Sequence, residues 1–147
     1  MRNNKSIIIG IGNTGRKDDG LGWLFIDSLK QNATEKMDLA YRYQLQIEDA
    51  ELICNYDTVI FVDAMKDHLE EGFIFKKCKP SSKYSFSTHA LVPETVLQLA
   101  NDLYQKKLKA HILGIQGYEW DLKIGLSPQA QNNLNKAKAY FFNNILN

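Results

Sequence analysis

Residues 7–20 read "IIIGIGNTGRKDDG". Three isoleucines followed by glycine make a short apolar run, which predicts a strand over residues 7–11 buried on both faces. The glycines that follow spell Gly10-x-Gly12-x-x-Gly15, the spacing of a dinucleotide-binding turn. Placement argues against that ligand. In a dinucleotide site the helix starts at the third glycine and the pyrophosphate rests on its first amides. Here Arg16, Lys17, Asp18, Asp19 and Gly20 intervene before any helical periodicity begins, and two carboxylates oppose a diphosphate. The acid that should close the second strand, about 20 residues on, is also out of place: Glu35 precedes the strand and Glu48 lies too far beyond it. What the glycines supply is backbone freedom. Gly10 and Gly12 permit close approach or positive φ, and Asn13 tolerates the left-handed region. Asp18 is expected to cap the helix; since two adjacent acids cannot both cap, Asp19 is left to point elsewhere.

Outward from this loop the chain alternates strands with helices. Leu21, Leu24, Phe25 and Leu29 recur at helical spacing and predict a helix from Gly20 to about residue 32. Tyr41, Tyr43 and Leu45 alternate, predicting a strand over residues 41–46, with a short helix over 48–54 after it. "VIFV" at 59–62 is a third strand and 72–77 a fourth. Pro93 suits the first position of a helix carried by Val96, Leu99, Ala100, Leu103 and Tyr104. Residues 112–115 make the fifth strand, and Ser127-Pro128 opens a last helix striped by Leu134, Ala137, Phe141 and Ile145. The order β-α-β-α-β-β-α-β-α implies an α/β fold: one twisted, mostly parallel five-stranded sheet with helices on both faces. The link between strands three and four is too short for a parallel crossover, so that pair is expected to be antiparallel.

At 147 residues the chain is read as a single domain, residues 1–147. Eighteen Lys and Arg against 17 Asp and Glu leave a net charge of +1, which gives no pull toward nucleic acid or anionic membrane. The apolar stretch near the N-terminus is too short for a signal core or membrane span. Cys54 and Cys78 lack any metal or disulfide spacing and read as packing residues of a cytoplasmic protein. The "KKLK" run at 106–109 reads as a solvated helix end, His68 as a solvated turn residue, and His111 as a neighbour of the fifth strand.

Three residues are candidates for chemistry. In open α/β sheets ligands bind outside the carboxyl ends of the strands, where strand order reverses. Asp19 lies on the loop leaving strand one, and Asp63 directly follows "VIFV" of strand three. Those strands are natural parallel neighbours if strand two lies on the other side. His89, in "FSTHALVPE", reaches the same edge if the ten residues before it run extended, at roughly 3.3 Å each. Two carboxylates and an imidazole can hold a divalent ion such as zinc or nickel, or perform acid-base chemistry without metal.

Taken together, "GIGN" at 10–13, "DDGLG" at 18–22, "VDA" at 62–64, "STHAL" at 87–91, "GIQ" at 114–116 and "GLSP" at 125–128 make the chain resemble the hydrogenase maturation proteases. That family trims the C-terminal extension of the nickel-iron hydrogenase large subunit. The resemblance runs over nearly the whole length and implies an endopeptidase acting on a large-subunit precursor. It also implies a metal site of Asp19, Asp63 and His89, which would serve recognition and catalysis, with nickel supplied by the substrate and zinc or cadmium as stand-ins. Gly10, Gly12 and Asn13 would then line the substrate cleft. The first ligand, often Glu in the family, is the shorter Asp19 here. Two other readings stand beside it: a non-enzymatic metal- or peptide-binding α/β protein, and a nucleotide-binding enzyme using Gly10, Gly12 and Gly15. Oligomeric state, and the particular hydrogenase served, are not legible in the residues.

Overall fold

Residues 7–9 form the centre of strand β1 (Ser6–Ile11), every position after Ser6 being buried. The computed structural model describes residues 4–81 and 91–146. On one side β1 pairs in parallel with β2 (Met37–Arg42), on the other with β3 (Thr58–Met65). The fifth strand, β5 (Lys109–Gln116), is parallel to β3, and β4 (Phe73–Lys77) is antiparallel to β5 at the edge. The sheet order is β2-β1-β3-β5-β4. The switch point lies between β1 and β3: the connection leaving β1 turns toward β2 and the one leaving β3 toward β4 and β5, which opens a crevice at their carboxyl ends.

Strand parity builds a core on each face. Ile7, Ile9, Val59, Phe61 and Ile112 pack with helices α2 (Ile47–Ile53) and α3 (Pro93–Tyr104). Ile8, Ile60, Val62, Leu113 and Ile115 pack on the opposite face with α1 (Leu21–Leu29) and α4 (Pro128–Asn144). There Phe25 and Phe141, both fully buried, meet edge to face at 5.2 Å. Each large side chain so buried is worth about 1.5–3 kcal/mol. Pro93 and Pro128 occupy the first turns of their helices as expected, and Ser127 Oγ caps α4 by accepting from Ala130 N at 3.2 Å.

Four expectations are corrected. The second strand starts at Met37, four residues before the predicted start, because Met37 and Leu39 continue the parity of Tyr41 toward α1 and α4. It stops at Arg42, while Leu45 is buried beyond it and bridges Leu91. Helix α1 ends at Leu29, its last buried residue, since Lys30, Gln31 and Asn32 bring no apolar side chain. The antiparallel strand β4 pairs with β5, because both edges of β3 are already taken by β1 and β5. A single 3-10 turn, Lys17–Gly20, precedes α1, so the two acids lie in a turn of their own.

Candidate functional site

Asp63 lies inside β3, where the sequence placed it after the strand's end. Its position at the crevice nevertheless holds. Pairing of β1 with β3 stops at Gly10 opposite Val62, whereas β3 and β5 remain paired as far as Met65 opposite Gln116. Asp63 is therefore the first β3 residue without a β1 partner, and it continues the face of Val59 and Phe61. Ala64 N donates to Asp63 Oδ1 at 2.8 Å.

Asp19 is carried to this crevice by the loop leaving β1. Asn13 N donates to the Asp19 carbonyl at 3.0 Å and Asp19 N to the Arg16 carbonyl at 3.0 Å, folding residues 13–19 into a closed turn. Gly12 makes the fold-back possible: its φ is +144°, and an added Cβ would fall 2.0 Å from the Asp19 carbonyl oxygen. Gly10 and Gly22 perform the matching task for α1. A Cβ on Gly22 would meet the Ile11 and Val62 carbonyl oxygens at 2.5 and 2.6 Å, and one on Gly10 would meet Gly22 O at 2.5 Å. The helix rests directly on the ends of β1 and β3.

The two carboxylates sense one another. Burial raises the pKa of Asp63, and the negative charge of Asp19 raises it further, so that it stands at about 7 despite the Ala64 N–H. Burial also raises Asp19, opposed by the cations of Arg16 and Lys66 and by the Asn13 backbone N–H. Near neutrality such a pair holds less than two full negative charges. It can exchange a proton at Asp63, or accept a divalent cation that relieves the repulsion. His89 lies outside the described residues. Among those described, no three His, Cys, Asp or Glu side chains group so as to hold a metal, and His111 is instead stacked on Phe75 at 4.8 Å.

Asp18 does not cap α1, which has no side-chain cap. It is completely buried and ties down the loop between β5 and α4. Oδ2 accepts from Tyr118 N (2.7 Å), Glu119 N (2.9 Å) and Ser127 Oγ (2.7 Å), and Oδ1 accepts from Ser127 N (2.8 Å). Burial alone would raise its pKa; the three backbone N–H groups and the hydroxyl together hold it below 3.8. Lys66 also escaped sequence reading. Its ammonium lies 5.3 Å from the centre of the Trp120 ring while lowering the pKa of Asp19. A Lys three residues after Asp63 was the signal available.

Of the residues assigned to a substrate cleft, Gly10 is buried beneath α1, and the Gly12 N–H is committed to the Arg42 carbonyl at 2.9 Å. Asn13 Oδ1 accepts from Gly15 N at 2.8 Å. The same Arg42 carbonyl accepts from Trp23 Nε1 at 2.9 Å, joining the loop to a cleft of about 510 Å³ that Trp23, Tyr41, Arg42, Tyr43 and Asp49 help to line. Neither Asp19 nor Asp63 lines that cleft. The cysteines suit packing: Cys78 is buried, its thiol pushed up to about 12 mainly by burial, and burial raises the partly exposed Cys54 as well.

The fold and the crevice define a doubly wound α/β protein with paired carboxylates at the switch point of its sheet. No family model and no curated protein matches the sequence. Solved structures do. The [NiFe] hydrogenase maturation protease HycI from Thermococcus kodakarensis is 23% identical with a TM-score of 0.75, the match covering 98% of this chain and 94% of that one. The hydrogenase maturating endopeptidase HybD from E. coli is 18% identical with a TM-score of 0.73, over 92% and 88% of the two chains. A hydrogenase 2 maturation peptidase from a Thaumarchaeota archaeon gives 14% identity and a TM-score of 0.69, over 98% and 100%. The chain has the fold of the hydrogenase maturation proteases.

Proposed function

We propose that the chain is an endopeptidase that removes the C-terminal extension of a nickel-loaded hydrogenase large-subunit precursor. What supports the proposal is the position of Asp19 and Asp63 by the β1/β3 crevice, near enough that the charge of Asp19 raises the pKa of Asp63, in a fold shared with a hydrogenase maturating endopeptidase and a [NiFe] hydrogenase maturation protease. Asp19, Asp63 and His89 are the residues proposed to contact the substrate's nickel, which arrives with the precursor. A pair of carboxylates that raises its own pKa is a fitting donor set for a cation, and zinc or cadmium would substitute for nickel there. In hydrolysis the hydroxyl of water goes to the scissile carbonyl carbon and a proton to the departing nitrogen. Asp63 stands at about 7 in the metal-free site; nickel beside it would lower that value and hold the carboxylate ionised, the form that can accept a proton from water and return it to the departing nitrogen. The proposed setting is the cytoplasm, which agrees with two free thiols. Among the described residues no helix is long and apolar enough to cross a membrane.

The test is co-expression of Asp19→Asn, Asp63→Asn and His89→Ala with a large-subunit precursor, reading loss of the extension by mass spectrometry and folding by circular dichroism. Each variant should stay folded and lose processing at least about 100-fold. Wild-type processing in all three would reject the site. Zinc binding by the wild type without cleavage of any precursor would favour a binding protein.

A further inference from the structure

The loop that Asp18 secures carries apolar side chains the fold leaves in water. Between β5 and α4 residues 118–125 read "YEWDLKIG". Leu122 is 77% exposed and Ile124 88%, with Tyr118 exposed beside them. Single exposed apolar residues are ordinary. This pair differs because its backbone is fixed. Lys17 N donates to the Lys123 carbonyl at 2.7 Å and Asp18 N to the Glu119 carbonyl at 3.0 Å. Lys17 Nζ pairs with Glu119 at 3.3 Å, and Asn133 Nδ2 donates to the Tyr118 hydroxyl at 3.0 Å. With the bonds to the Asp18 carboxylate, the loop is held at several points along its length. Ordering a loop is a large part of what association costs, and here that cost is met by folding.

The anchors also say what lies opposite. Residues 17 and 18 immediately precede Asp19, and Trp120 of the loop lies 5.3 Å from the ammonium of Lys66, whose charge reaches Asp19, so the loop borders the crevice that a protein substrate would enter. We infer that residues 118–125 form a preformed docking arm for the folded body of the protein substrate, with Leu122 and Ile124 seated in an apolar recess on that body. The inference rests on the endopeptidase reading. It assigns recognition of the substrate to a surface apart from the carboxylates, as hot-spot side chains on a rigid support.

The experiment compares wild type with the double variant Leu122→Ser, Ile124→Ser. The probe is the nickel-loaded large-subunit precursor from the same organism, extension intact. Binding is read with Asp63→Asn in both backgrounds and turnover with the Asp63 forms, while sedimentation reports oligomeric state. Both side chains are solvent-exposed, so Tm should stay within about 2 °C. The arm predicts a KM and a Kd raised at least tenfold with kcat changed less than twofold. Wild-type KM and Kd in the double variant, with the wild type active, would overturn the arm and leave the endopeptidase reading standing. If the wild type neither binds nor cleaves the precursor, that reading falls and the arm with it. A dimer that dissociates only in the double variant would assign the patch to a second copy of the chain and overturn the inference.

Discussion

Replacing Asp18 by alanine should cost more stability than replacing its neighbour Asp19, although Asp19 is the residue placed at the crevice. The magnitude follows from the bonds. Asp18 accepts four, at 2.7 to 2.9 Å, from three backbone N–H groups and one hydroxyl. Bonds to a charged acceptor are worth about 1.5–3 kcal/mol each, offset by the several kcal/mol needed to bury a carboxylate. Removing the carboxylate leaves three N–H groups and a hydroxyl without their acceptor, at about 1–3 kcal/mol for each one that stays out of water, so a net loss of about 3–5 kcal/mol is expected. For a chain of this length that is a fall in Tm of roughly 10 °C. Asp18→Asn retains the shape but must turn its amide group toward at least one backbone N–H, so it should lose about 2–3 kcal/mol. Urea unfolding measures both: the midpoint should move with the m-value unchanged. Because the folded pKa of Asp18 lies below 3.8, its contribution is fully present above about pH 4 and lost as pH falls through the folded value. The Asp18→Asn deficit should therefore shrink in acid. Asp19, whose folded pKa is raised, makes no such contribution at neutral pH, and Asp19→Ala should lie within about 1 kcal/mol of wild type. An Asp18→Ala midpoint equal to that of wild type would refute the assignment of Asp18 as the tie between the two loops.

Asp63 should show the opposite pH dependence. Its folded pKa of about 7 exceeds the unfolded value, so the folded state holds the extra proton in between, and stability declines as pH rises from about 4 to 7. In metal-free protein the stability of Asp63→Asn relative to wild type should grow across that window, by at most about 1.4 kcal/mol per pH unit, and level off above it; a difference independent of pH would contradict the shift. Lys66→Met removes a cation that lowers the Asp19 pKa and should raise that pKa further, as read by carboxyl NMR titration, with the Trp120 fluorescence changing as its cationic neighbour is lost. An unmoved titration would place Lys66 outside the site's field. Gly12→Ala forces a side chain to a φ of +144° and 2.0 Å from the Asp19 carbonyl, and should cost at least about 2 kcal/mol in urea unfolding. A neutral result would mean that the 13–19 turn relaxes without penalty.

What the residues disclosed and what they concealed divide along contact distance. The run at 7–9, the parity of 59–62 and the prolines at 93 and 128 are local signals, and they set the strands, the two-faced core and the helix starts that the structure displays. Parallel order with Asp19 and Asp63 at one crevice followed from topology alone, since crossovers allow few arrangements. The second strand was misplaced by four residues because Tyr41, Tyr43 and Leu45 share the parity of Met37 and Leu39. Alternation fixes a face but not where pairing stops: the Gly12 N–H makes the last bond to the Arg42 carbonyl, and the chain of β1 then turns away at the positive φ of Gly12.

The division of labour between Asp18 and Asp19 was hidden for a related reason. Two adjacent acids before a helix look alike, and local rules offer both the same cap. The partners that separate them are 100 to 109 residues away for Asp18, and across the sheet at Asp63 for Asp19. Asp18 is a carboxylate held by four hydrogen bonds, and Asp19 beside it is one that burial raises against a single backbone N–H and the cations of Arg16 and Lys66. The first holds the turn and the 118–125 loop in place, so the second can keep a raised pKa without the loop rearranging to neutralise it. Loosening Asp18 should therefore cost activity through the position of Asp19 before the protein unfolds.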